Sequence, residues 1–114
     1  MKTLLVALML ALASPAVACE IGDLKLLQSE FHSRNGGSHG FFVTVVGELE
    51  SSCDTRTIAR VHLIWRDADG KVVGTRDTYV DEIPSHGRQT FEVPDITIRE
   101  AKSMDSQITG VRNR

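Results

Sequence analysis

The sequence predicts an all-β fold, one small sandwich of antiparallel strands. Three observations carry it. Short runs rich in Val, Ile, Phe and Thr recur along the chain, separated by segments holding Gly, Pro, Asn and Asp. Val61, Leu63 and Trp65 recur with period two, so they share one strand face. Asp67-Ala68-Asp69-Gly70 then reads as a type I turn in which a left-handed Gly70 closes a hairpin.

The first segment lies outside that fold. A basic Met1-Lys2 start, an apolar run over residues 3–13, a Ser14-Pro15 break and the small residues Ala16-Val17-Ala18 make a secretory signal peptide over residues 1–18. The apolar run falls short of the roughly 20 residues a spanning helix needs. Residues 19–114 then form a single domain, expected in the periplasm or secreted, and small enough to benefit from a covalent staple. The full chain carries a formal net charge of −2, and removing Lys2 makes it slightly more acidic. That disfavours a nucleic-acid partner, which would want a basic stripe.

The sequence has two cysteines, Cys19 and Cys53. Export permits a disulfide between them, and the chain-entropy model gives a loop of this length about 4 kcal/mol of stabilisation. Two alternatives stay open. Cys19 follows small residues as a lipidated cysteine does, although the Leu usual three residues before it is missing. The two sulfurs could also be free thiols or metal ligands. No Cys-x-x-Cys supports a redox role.

The strands follow in order. Residues 23–31 form the first, with Cys19 just ahead to pin an end that would otherwise fray. Residues 32–40, rich in Ser, Gly, Asn and His, read as a flexible loop. Residues 41–50 form a central strand, because Val43, Val45 and Leu49 on one face and Phe42 and Val46 on the other are all apolar. Gly47 within it marks a bulge or a close backbone approach.

A polar turn carrying Cys53 leads to a strand over residues 58–66, with Arg60, His62 and Arg66 outward. Its hairpin partner covers residues 71–80. The turn geometry sets Trp65 opposite Val73, Leu63 opposite Thr75 and Val61 opposite Asp77. The last pair suits a core badly, so the partner strand is expected to bend or change neighbours near Thr75 or Arg76. After the Pro84 to Gly87 connection, residues 89–93 form a short strand with Phe91 and Val93 inward, ended by Pro94. Residues 95–103 fit either a strand or a helical turn. Residues 107–112 close the chain as an edge strand.

Three segments together resemble the FxLYD-type domains of bacterial exported proteins. They are Val45-Val46-Gly47-Glu48-Leu49, the run from Val61 through Trp65, Asp67, Asp69 and Gly70 to Gly74, and Ile83-Pro84-Ser85-His86-Gly87 leading to Phe91. The resemblance spans residues 41–93. Trp65-Arg66-Asp67 stands where aromatic-Tyr-Asp is usual, and Ser85-His86 separates a proline and glycine that usually adjoin. It implies a small immunoglobulin-like β-sandwich and an accessory, adhesion or assembly role in the envelope. It carries over no catalytic residues.

Residue chemistry points the same way. Neither a Gly-rich phosphate loop nor Gly-x-Ser-x-Gly occurs, and the paired acids Asp81-Glu82 adjoin no evident cleft. Asp67 and Asp69 match only the opening of a calcium loop and lack its closing Glu, so they read as turn residues with Gly70. Phe42, Arg60, His62 and Arg66 make a candidate interaction patch. The expectation is a non-catalytic periplasmic binding or envelope-assembly module, without cofactor, whose partner is an unidentified envelope protein. The alternative is a Cu- or Zn-binding protein using His32 and His39 with Cys19 or Cys53.

Overall fold

The computed structural model describes residues 18–114. The signal peptide read over residues 1–18 therefore lies, apart from Ala18, outside the described residues. A 3-10 turn over Ile21–Asp23 leads into β1 (Leu24–Asn35), and a second over Gly37–His39 joins it to β2 (Phe41–Ser51). Then follow β3 (Thr57–Arg66), β4 (Val72–Ile83), β5 (Arg88–Ile98) and β6 (Ser103–Asn113). Two three-stranded antiparallel sheets result, ordered β1-β2-β5 and β4-β3-β6. The fold is the all-β sandwich expected, with β2 and β3 as the central strands.

The alternation that predicts β2 and β3 also builds the core. Val43, Val45 and Leu49 of β2 face Ala59, Val61, Leu63 and Trp65 of β3, and all seven are fully buried. Val80 and Ile83 of β4 and Val93 and Ile96 of β5 complete the interior. Trp65 is core, as its period with Val61 and Leu63 implies. Its Nε1 and the Thr57 Oγ1 are buried without a hydrogen-bond partner among the described residues. Between β1 and β6 the hydroxyls of Ser29 and Ser106 meet at 2.6 Å and tie the two sheets together.

Cys19 and Cys53 form the disulfide, with Cα atoms 5.6 Å apart. Antiparallel pairing of β1 and β2 sets Leu24 opposite Ser51, which brings the start of one strand to the end of the other. Ser52 N–H donates to the Asp23 carbonyl at 3.0 Å and continues that alignment to the bridge.

Three sequence expectations are corrected. Residues 32–35 belong to β1, where Asn35 pairs with Phe41, so the loop is a tight turn. The Asn35 Oδ1 accepts the Gly37 N–H at 2.7 Å and starts that turn. Pro94 does not end its strand. Val93 pairs with Val45 and Ile96 with Val43, so Pro94 and Asp95 form a bulge opposite Thr44, with Asp95 at φ 55°. β5 is an edge strand, where proline's missing donor leaves no ladder bond unmade.

The third correction is the β3–β4 register. Arg66 pairs with Val72 but Trp65 pairs with Gly74, which leaves Val73 as an extra residue. Leu63 therefore faces Arg76 and Val61 faces Thr78. A shift of one residue exchanges the two faces of a strand. Here it moves Asp77 from the core to the surface, so the bulge at Val73 does what a bend near Thr75 was expected to do.

Candidate functional site

The outer face of the β4-β3-β6 sheet gathers the chemistry-bearing side chains. Because the odd-numbered residues of β3 are buried, Ile58, Arg60, His62, Ile64 and Arg66 point outward. Cross-strand pairing builds rows on this face. Ile58 lies beside Arg112, Arg60 between Tyr79 and Gly110, and His62 between Asp77 and Gln107. The His62 Nδ1 is 2.7 Å from the Asp77 Oδ1. The Arg66 Nε donates to the Asp105 Oδ2 at 3.2 Å, and its other arm donates to the Gly70 carbonyl at 3.1 Å.

At one end of the face these rows leave an open groove of about 460 Å³, lined by Ile58, Arg60, Tyr79, Gly110, Val111 and Arg112. A bulge makes it. Arg60 pairs with Gly110 and Val61 with Ile108, so Thr109 is an extra residue of β6. Its hydroxyl accepts from the Arg60 Nε at 3.0 Å. The Arg60 side chain thus lies along Gly110, where only backbone stands beneath it. Tyr79 rises on the other side and is 66 % exposed, although it is a large aromatic.

The acids Asp81 and Glu82 at the end of β4 are clamped. The Arg114 Nε lies 2.6 Å from the Glu82 Oε1 and 3.0 Å from the Asp81 Oδ1, and Arg56 donates to the Glu82 Oε2 at 3.1 Å. The hydrogen bond to Glu82 and the charge of Asp81 push the Arg114 guanidinium pKa up further.

The remaining sequence candidates fall elsewhere. Arg60, His62 and Arg66 share the outer face of β4-β3-β6, but Phe42 is on the outer face of the other sheet. There it is half-buried, with the Arg34 guanidinium 4.8 Å from its ring centroid. The four-residue patch is therefore not assembled. Asp67, Asp69 and Gly70 form the expected turn, in which the Asp67 Oδ1 accepts the N–H groups of Asp69 and Lys71, both at 2.9 Å. Gly70 has φ 82°, the left-handed conformation its position requires.

The metal alternative meets a different geometry. The sulfurs of Cys19 and Cys53 and a carboxylate oxygen of Asp23 lie within 4.8 Å of one another. The two sulfurs are bonded together, and the Asp23 Oδ2 accepts the Glu20 N–H at 2.9 Å. His32 is exposed on β1 and His39 in the following turn, and neither belongs to a three-ligand group among the described residues. His86, in the β4–β5 connection, meets Asp54 at 2.7 Å.

Sequence reasoning missed Tyr79, Ile58 and Arg112. Carried two residues further, the turn-derived register sets Tyr79 opposite Ala59, facing the core. The poor pairing of Val61 with Asp77 was the available signal, since correcting it by one residue turns Tyr79 outward as well. No helix among the described residues is long and apolar enough to cross a membrane. No protein-family model matches the chain, and no curated protein shows significant similarity to it.

Proposed function

We propose that this chain is a non-catalytic binding or assembly module of the bacterial envelope, working in the periplasm. Its partner is a protein, engaged through the outer face of the β4-β3-β6 sheet. One observation carries the reading: an exposed Tyr79 stands beside Arg60 with the apolar Ile58 between β4 and β6. Tyr and Arg are the residue types that concentrate binding energy at protein interfaces. The disulfide supports an oxidising compartment, in line with the signal peptide read from residues 1–18. The FxLYD resemblance of residues 41–93 supports an accessory role. The Cu or Zn reading has less support, because the bridge engages both candidate sulfurs.

A photo-crosslinking amino acid at position 79 tests this in living cells, with position 90 on the outer face of the other sheet as control. The expected result is a discrete protein adduct from position 79 and none from position 90. No adduct, or the same adducts from both positions, would overturn the proposal.

A further inference from the structure

We propose that the groove between Tyr79, Arg60 and Arg112 takes an acidic segment of a partner protein. A carboxylate is held by the two guanidinium groups, and a neighbouring apolar side chain seats on Ile58 against Tyr79. The inference rests on the protein-binding reading above and names the chemistry of the occupant.

Charge complementarity is the first support. Arg60 is held in place by its neighbour, donating from Nε to the Thr109 hydroxyl at 3.0 Å and from one terminal nitrogen to the Thr109 carbonyl at 3.5 Å. A guanidinium has five N–H donors, so the remaining arm keeps donors for a ligand. The Arg112 side chain has no ion-pair or hydrogen-bond partner among the described residues, and it is exposed. The nearby carboxylates are already engaged: Asp77 by His62, Asp105 by Arg66, and Asp81 and Glu82 by Arg114 and Arg56. Arg60 and Arg112 are thus the guanidinium groups of this face that no carboxylate pairs with among the described residues, whereas Arg66, Arg56 and Arg114 each have one.

The lining decides between classes of anion. Ile58 and the Tyr79 ring give apolar contact, and among the described residues no carboxylate or amide side chain lines the groove. A glycan site would need such groups to pair with successive sugar hydroxyls. A nucleic-acid backbone would need a broad basic field, whereas the chain has a net charge of −2. A carboxylate beside an apolar side chain, as an acidic peptide presents it, matches the groove best.

Backbone-amide NMR of the full chain, purified as the cell processes it, tests the proposal with two peptides. One is acetyl-Asp-Glu-Phe-Asp-amide and the other its neutral counterpart acetyl-Asn-Gln-Phe-Asn-amide. The acidic peptide is expected to give saturable shifts at Arg60, Tyr79 and Gly110, weakening as salt is raised. The neutral peptide should bind at least about tenfold more weakly, and Arg60→Ala and Arg112→Ala should each weaken the acidic peptide about tenfold. Should either variant fail to fold, the peptide pair and the salt series in the parent chain still decide the matter. Equal binding of both peptides, shifts centred elsewhere, or no saturable shift overturns the inference. Tighter binding of tetragalacturonate or inorganic phosphate at the same amides also overturns it. If the crosslink from position 79 persists while the acidic peptide fails, the acidic occupant falls and the protein-binding reading stands. If both fail, both fall.

Discussion

The ring of Phe91 occupies the space that a side chain at Gly47 would need. A Cβ placed on Gly47 would stand 2.3 Å from the Phe91 Cζ and 2.8 Å from the Gln28 carbonyl oxygen. The two residues are cross-strand partners on β2 and β5, so the missing side chain lets an aromatic ring lie across the central strand. Gly47 was expected to mark a bulge or a close approach, and it marks a close approach.

Gly47→Ala should therefore destabilise the fold by about 1–3 kcal/mol, the usual cost of overpacking. Urea denaturation measures it. In a Phe91→Leu background the added methyl has more room, so the same substitution should cost less. Equal costs in both backgrounds would mean that the ring is not what excludes a side chain there.

Gly70→Ala meets no neighbouring atom within 4 Å, so its effect isolates backbone conformation. At φ 82° an L-residue is strained, and the loss should be roughly 1 kcal/mol or more. An unchanged denaturation midpoint would count against the left-handed turn.

Thr57→Val should have the opposite sign. The Thr57 hydroxyl is fully buried with no partner among the described residues, and valine keeps the shape without the polar atom. Removing an unsatisfied hydroxyl should stabilise the protein by about 1 kcal/mol. A loss of stability on denaturation would show that the hydroxyl has a partner.

Cys53→Ser removes a bridge across a sequence separation of 34, worth about 3–4 kcal/mol in the chain-entropy model. The amides of residues 20–24, next to the bridge, should exchange faster with solvent than in the parent. A midpoint identical to the parent's, with mass spectrometry confirming an intact bridge in the parent, would remove its stabilising role.

The strands were legible where one face is dry and the other wet. β3 shows that alternation, with Arg60, His62 and Arg66 on its wet face, whereas β2 was legible as a central strand because both its faces carry apolar residues, and the Asp67–Gly70 turn announces itself through residue types that favour it. What stayed hidden was every place where a ladder takes in an extra residue. A bulge is a tertiary compromise, and its cause lies on a neighbouring strand. Val73 has nothing unusual in its own surroundings; it shifts register because Asp77 belongs beside His62 and away from Val61. The groove inherits that limit twice, since Tyr79 faces outward through the bulge at Val73 and Arg60 is steadied through the bulge at Thr109. The proposed Phe42 patch failed for a related reason: alternation tells which face of a strand a residue takes, but not which sheet the strand joins.

The link between Cys19 and Cys53 also decides how the molecule would answer a pull. Tension applied at the N-terminus enters at Cys19, crosses the sulfur bridge and leaves through Cys53 into the segment before β3. Residues 20–52 lie inside the closed loop, so the β1–β2 hairpin forms a mechanical bypass that carries no direct stretch. The first elements to feel the force would be the backbone after Cys53 and then β3, the strand at the centre of the sheet that bears Arg60.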